Sequence, residues 1–214
     1  MIAIVDYGVG NLFSLQSSLK AIGEEAAVTS DQELIRSCDR IILPGVGAFG
    51  DAVGKLREAG LFDFMKEQAA SGKPVLGICL GMQMLLEKSY EFGEFEGLGL
   101  IEGSIEAIEP KLKKKLDIPH MGWNALHFTG KPCPLFKDIR EGEFVYFVHS
   151  YAAFGCEKNT AACAEYEIPL TAAVWKDNVY GTQFHPEKSG PAGLKILKNF
   201  CTLEESRNDT VTGN

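Results

Sequence analysis

The sequence predicts an α/β fold: an open, mainly parallel sheet covered by helices on both faces, with antiparallel strands added in the second half. Three observations predict it. Short β-rich runs alternate with amphipathic helical patterns through the first half of the chain. The second half is mostly strand-like, with turn residues between the runs. The 214 residues are 45% hydrophobic and 23% charged, a globular composition with enough apolar residues for a sizeable core.

In order, "IAIVDY" reads as a strand and "NLFSLQSSLKAIG" as a helix, with Leu12, Leu15, Leu19 and Ile22 on one face. "EAAVT" is a weak strand and "RIILP" a strong one. Two helical segments follow, "AFGDAVGKLREAG" and "LFDFMKEQAASG". "KPVLGI" is a strand again, and "GMQMLLEKS" reads as a helix. "GLGLIEGSIEAI", "GWNALHF", "EFVYFVHSYAAF", "TAACAEYE", "PLTAAVWK" and "NVYGTQFH" are strand-like, and "PAGLKILKNFCTL" is a closing helix. With no repeat and no linker, residues 1–203 form one expected domain. The polar stretch 204–214 is an expected flexible tail.

A net charge of −8 argues against broad nucleic-acid binding, which needs a basic face. The one basic run, "KLKKK" at 111–115, reads as a solvated loop. Met1 leads into "IAIVDYG" without a cationic stretch or a long apolar region, so neither a signal peptide nor a membrane span is expected. The six cysteines are scattered without a C-x-x-C pair. No metal site and no disulfide framework are expected, and a reduced cytoplasm fits.

The segment "KPVLGICLGMQMLLEKS" carries the strongest chemical signal. Gly77-Ile78-Cys79-Leu80-Gly81 lies between a strand and a helix, the pattern of a nucleophile elbow with Cys in place of Ser. A tight strand-to-helix turn crowds the residues two before and two after the nucleophile, and glycine removes those side chains. The start of the following helix points amide hydrogens and partial positive charge at the sulfur, which favours the thiolate. The Leu80 amide is placed to stabilise an oxyanion. The other five cysteines lack this context and read as structural.

A cysteine nucleophile needs a base oriented by a third group. Of His120, His127, His149 and His185, two follow strong strands, His149 and His185. Only His185 has a carboxylate locked nearby, in His185-Pro186-Glu187, where Pro186 restricts the backbone. Cys79, His185 and Glu187 are therefore the candidate catalytic set.

A second motif competes. Gly45-Val46-Gly47-Ala48-Phe49-Gly50 spells the dinucleotide-binding G-x-G-x-x-G after a strand. Such a site also needs an acidic residue closing the next strand about 20 residues on. Asp63 and Glu67 stand near that distance, but in a helical segment. A third possibility, a non-catalytic scaffold, sits poorly with an intact Cys-His-Glu set.

"PGVGAFG", "GICLGMQML", "PHMGWN" and "GTQFHPEKS" together resemble the class I glutamine amidotransferases. Within that class, "DYGVGNL", "PGVGAFG" and "PHMGWN" are most similar to the glutaminase subunits of imidazole glycerol phosphate synthases. The likeness runs from the first strand to "LKNF" at 197–200. It implies the amidotransferase fold and a Cys79–His185–Glu187 triad that releases ammonia from glutamine, with no cofactor. It also implies glutamine and oxyanion contacts from Gly45, Val46, Gly47, Leu80, Gln83, Ser150 and Tyr151. The ammonia would pass to a (β/α)8-barrel cyclase subunit, the partner in a heterodimer, which makes imidazole glycerol phosphate and an aminoimidazole carboxamide ribotide in histidine biosynthesis. Asn11, Met121, Trp123, Asn124 and Lys188 match positions at or near that partner interface. Val46 stands between two glycines, which suits a peptide that changes direction when the partner binds.

Overall fold

The computed structural model describes residues 1–130 and 132–203; the tail expected at 204–214 lies outside the described residues. The first half alternates as the pattern predicts: β1 (Ile2–Val5), α1 (Leu12–Ala21), β2 (Ala26–Thr29), α2 (Gln32–Ser37), β3 (Arg40–Gly45), α3 (Phe49–Glu58), α4 (Leu61–Ala70), β4 (Val75–Cys79) and α5 (Leu80–Met84). Strands dominate the rest: β5 (Leu86–Ser89), β6 (Phe95–Glu96), β7 (Ile101–Ala107), β8 (His120–Ala125), β9 (His127–Phe128), β10 (Phe144–His149) and β11 (Tyr151–Phe154). Then come β12 (Thr160–Tyr166), β13 (Ile168–Lys176), β14 (Val179–Thr182) and the closing helix α6 (Gly190–Cys201).

The main sheet has eight strands in the order β2-β1-β3-β4-β14-β13-β12-β9. From β2 to β14 the pairings are parallel, and from β14 to β9 antiparallel. Alternation along the central strands sorts side chains to two faces. Ile2, Ile4, Ile42, Leu76 and Ile78 point one way, onto Leu15 and Leu19 of α1 and Ile196, Leu197 and Phe200 of α6. Ala3, Val5, Ile41, Leu43 and Val75 point the other way, onto Phe49 and Leu56 of α3 and Leu61 and Met65 of α4. Strands buried on both faces read as continuous apolar runs, which is why "RIILP" and "KPVLGI" are strong signals.

Two smaller sheets complete the molecule, β10-β8 and β11-β7-β5-β6. Here the structure departs from the sequence reading. "GMQMLLEKS" is predicted as one helix, but α5 stops at Met84 and Leu86–Ser89 is a strand. The reason is tertiary: β5 is paired on both edges, with β7 in parallel and β6 in antiparallel. "EFVYFVHSYAAF" is not one strand either. The chain changes sheets at Ser150, so β10 pairs with β8 while β11 pairs with β7. "GWNALHF" likewise splits between β8 and β9. Helix α2 has no counterpart in the sequence reading; Asp31 caps it by accepting from Glu33 N at 2.8 Å. Trp175 is half-buried and stacks on Tyr180 with ring centres 6.3 Å apart.

Among the described residues no helix is long and apolar enough to cross a membrane.

Candidate active site

Three adjacent parallel strands, β3, β4 and β14, end at the same edge of the sheet. Gly45 pairs with Cys79, and Thr182 pairs with Ile78. The chain leaving β14 therefore arrives beside the chain leaving β4, which brings His185 to Cys79 across about a hundred positions of sequence. Sites at the carboxyl ends of parallel strands are the general rule in open α/β sheets.

Cys79 has φ 54° and ψ −111° in a non-glycine residue. A conformation this sparsely populated costs about 1–3 kcal/mol and persists only where the surroundings impose it. The neighbours impose it here. A Cβ on Gly77 would lie 2.6 Å from the Gly81 carbonyl oxygen, and one on Gly81 would lie 1.8 Å from the Leu43 carbonyl oxygen. Both positions need the backbone approach only glycine permits. The helix after the elbow is shorter than expected, five residues, so its whole-helix dipole is small. What faces the sulfur is the first turn, whose amide hydrogens have no partner inside the helix.

His185 Nδ1 is 2.8 Å from Glu187 Oε1, and both side chains are 4% exposed. Burial alone would push the imidazole's pKa down. Hydrogen bonding to Cys79 and then to Glu187, with the charges of both, outweighs burial and raises it to about 9. The raised value favours the protonated ring, which has the sulfur on one side and a carboxylate on the other. The turn carrying it is fixed by backbone: His185 N donates to the Tyr146 carbonyl at 3.0 Å, and Ser189 Oγ donates to the His185 carbonyl at 2.6 Å.

In front of Cys79 is a cavity of about 320 Å³, lined among others by Val46, Gly47, Leu80, Gln83, Ser150, Tyr151 and His185. Eight sequence candidates, Cys79, Val46, Gly47, Leu80, Gln83, Ser150, Tyr151 and Lys188, thus line one cavity with His185. Gly45 lies beneath, closing β3 opposite Cys79. Gln83 is buried, and its Nε2 donates to the Tyr151 carbonyl at 3.1 Å and to Gln183 Oε1 at 3.0 Å. Tyr7 Oη donates to the Pro44 carbonyl at 2.7 Å and fixes the end of β3 just before Val46.

The sequence reading missed three contributors. Gln183 Nε2 reaches Cys79 Sγ at 3.7 Å. Tyr146 lies between Trp123 and Lys188, 6.0 Å from the indole and 5.9 Å from the ammonium. Glu91 lines the cavity, and its carboxylate accepts from Phe49 N at 2.7 Å; burial raises its pKa. No local motif announces Glu91, because its chain comes in from the loop between β5 and β6.

Glu91 also decides the competing motif. A pyrophosphate bound by G-x-G-x-x-G needs the N-terminus of the following helix. In this molecule the Glu91 carboxylate holds the N-terminus of α3 at Phe49. A Cβ on Gly50 would meet the Phe95 ring at 2.6 Å, so that glycine seats an aromatic side chain.

The residues matched to a partner face divide. Met121 and Trp123 are 63% and 52% exposed on β8, and Lys188 is exposed beside them. Asn124 is half-buried, with its amide donating to the Glu165 carbonyl at 2.9 Å. Asn11 caps α1, accepting from Ser14 N at 3.4 Å, and borders a small recess shared with His185 and Glu187.

The family model of class-I glutamine amidotransferases matches residues 3–203. The imidazole glycerol phosphate synthase subunit HisH of Sulfurimonas denitrificans is 52% identical over 203 residues, covering 94% of this chain and 97% of that protein. The HisH subunit of Caldanaerobacter subterraneus subsp. tengcongensis is 51% identical over 201 residues, with coverages of 94% and 97%. Among solved structures, a glutamine amidotransferase superposes with TM-score 0.71 at 19% identity, covering 94% of this chain and 100% of that one. PurLQS from Thermotoga maritima also gives 0.71, at 21% identity with coverages of 94% and 96%. The structures share the fold, and the sequences place the relationship more finely: this chain belongs to the class-I glutamine amidotransferase family, among the HisH subunits of imidazole glycerol phosphate synthase.

Proposed function

We propose that this chain is the glutaminase subunit of imidazole glycerol phosphate synthase, working through Cys79, His185 and Glu187. The observation that carries the chemistry is the buried Cys79–His185–Glu187 line at the mouth of a cavity of about 320 Å³. Cys79 sulfur attacks the side-chain amide carbon of glutamine. The oxyanion that forms meets the Leu80 amide and the Val46–Gly47 backbone. His185 gives its proton to the departing nitrogen, the C–N bond breaks, and ammonia leaves a thioester behind. Water then attacks, His185 takes its proton, and the S–C bond breaks to release glutamate. Glu187 holds the ring orientation and stabilises its charge.

Glutamine carries a carboxylate and an ammonium as well as its amide. In this reading Ser150 and Tyr151 of the cavity lining meet the carboxylate, and Glu91 supplies the negative charge for the ammonium. Residues 1–203 act as one amidotransferase domain, in keeping with the 3–203 family match. The exposed Met121, Trp123 and Lys188 with Tyr146 form the partner face, for a cyclase subunit of (β/α)8-barrel form in a heterodimer. Cytoplasmic histidine biosynthesis follows from this reading.

Glutamine turnover by the chain with its cyclase partner tests the proposal. Wild type releases glutamate, the isolated chain turns over slowly, and Cys79→Ala abolishes release while still binding the partner. Undiminished turnover in Cys79→Ala would sink the triad. Equal turnover with and without the partner would sink the reorientation expected at Val46.

A further inference from the structure

A line of hydrogen-bonding groups that includes His149, Tyr151 and Gln83 of the cavity lining joins strand β8 to Cys79. His149 Nδ1 donates to the Tyr151 carbonyl at 2.8 Å. His149 Nε2 faces His120 Nδ1 at 3.0 Å, and His120 Nε2 faces Asn124 Oδ1 at 3.0 Å. Asn124 Nδ2 donates to the Glu165 carbonyl at 2.9 Å. On its other side the Tyr151 carbonyl accepts from Gln83, Gln83 donates to Gln183, and Gln183 reaches Cys79 Sγ.

The hydrogens in this chain can be counted. Both ends, the Tyr151 and Glu165 carbonyls, only accept. Three contacts involve ring nitrogens, and each needs one hydrogen. Two neutral imidazoles carry two. Turning the Asn124 amide over moves the shortfall to the Glu165 carbonyl without removing it. The chain is therefore one hydrogen short while both rings are neutral, and complete when the pair binds one proton.

Burial favours the neutral rings: His120 is 1% exposed and His149 7%. Burial pushes both pKa values down, that of His149 to about 3, with the positive charge of His120 or His185 adding to the effect there. The other ionisable group facing the pair is Tyr166 of β12. Its ring centre is 4.2 Å from that of His120, and its hydroxyl donates to the Asp117 carbonyl at 2.6 Å. Phe147 of β10 stacks on His120 at 5.1 Å and brings no charge. The Tyr151 contact is the shortest of the three at ring nitrogens and keeps its hydrogen. The one hydrogen of neutral His120 then serves either His149 Nε2 or Asn124 Oδ1, each at 3.0 Å, and the other contact meets acceptor to acceptor.

We propose that His120 and Asn124 are positioning residues for the glutamine site: one proton entering the His120–His149 pair closes a hydrogen-bonded chain from β8 through Tyr151, Gln83 and Gln183 to Cys79, and its loss opens that chain on one side of His120. The kinetic consequence rests on the glutaminase reading; the proton count does not.

The test uses the full chain with ¹⁵N-labelled histidine, followed by imidazole nitrogen shifts against pH. At neutral pH His149 carries hydrogen on Nδ1 and His120 carries one hydrogen, and on acidification the two rings take up one proton between them. Asn124→Asp adds a negative charge to the acceptor and raises the pair's proton affinity about tenfold or more. Asn124→Ala removes the acceptor and lowers it. With the cyclase partner present, the acid limb of the kcat profile shifts in the same order, with KM moving less. Rings that titrate independently, or two variants that titrate as wild type does, overturn the proposal. A pair that behaves as expected in a protein without glutaminase activity would leave the proton count standing and remove the glutaminase reading instead.

Discussion

His185 Nδ1 and Glu187 Oε1 are 2.8 Å apart in a site where both side chains are 4% exposed, and the second carboxylate oxygen of Glu187 has no hydrogen-bond partner among the described residues. Among the described residues, the hydrogen bonding of this carboxylate is spent on one ring nitrogen. Glu187→Gln keeps an acceptor for Nδ1–H and removes the charge. Turnover in the complex falls by roughly 10²-fold or more, by analogy with loss of the orienting carboxylate in other triads. The His185 pKa drops from about 9. A steady-state assay paired with an NMR titration of His185 checks both.

Stability should depend on pH through the same ring. The His185 pKa is raised to about 9 in the folded chain, against about 6.5 for a free imidazole. The stabilisation is fully present below pH of about 6.5 and is lost as pH rises through about 9, where the folded chain gives up its extra proton. The size is on the order of 3 kcal/mol. Urea midpoints measured from pH 6 to 10 decline in wild type. They decline less in Cys79→Ala, since the contact with Cys79 is the largest influence raising the value.

Two glycines near the nucleophile should lose stability to alanine for different reasons. At Gly81 the new Cβ would lie 1.8 Å from the Leu43 carbonyl oxygen, so β3 and the elbow must separate. Gly81→Ala costs about 2–5 kcal/mol of stability and disables turnover. At Gly47, with φ +94°, the Cβ meets nothing within 4 Å. Gly47→Ala therefore costs about 1–2 kcal/mol of backbone strain while restricting the peptide beside Val46. Thermal melts and turnover measured on both variants separate close packing from conformational freedom.

How much of this was legible in the sequence follows from where each signal resides. The elbow is visible because steric crowding forces glycine at Gly77 and Gly81, two fixed offsets from Cys79. The His185–Glu187 pair is visible because both residues lie on one turn. Glu91 is not, since its contact with Phe49 spans 42 positions and depends on how the β5–β6 loop folds over the site. The helix predicted through Ser89 failed for a related reason. "LLEKS" has no intrinsic strand signal, and only pairing with β6 and β7 on either edge makes it one.

Glu91→Gln tests the substrate contact assigned to that residue. The neutral amide still accepts from Phe49 N, so α3 keeps its cap. The charge opposite the glutamine ammonium is lost. KM for glutamine rises about tenfold or more, with a smaller change in kcat, because the contact is made in the ground state and the transition state alike. A fall in kcat with KM unchanged would place Glu91 elsewhere in the reaction.

The hydrogen bond from His185 N to the Tyr146 carbonyl has a consequence for design and for descent. Tyr146 lies opposite Trp123 in the β10–β8 ladder, so one residue presents its ring to the outer surface and its carbonyl to the reaction centre. A surface remodelled to recruit a different acceptor subunit would tug on the backbone that seats His185. Lineages that exchange acceptors should then carry paired changes on β10 and in the His185–Ser189 turn, and a transplanted docking face should work only when that turn travels with it.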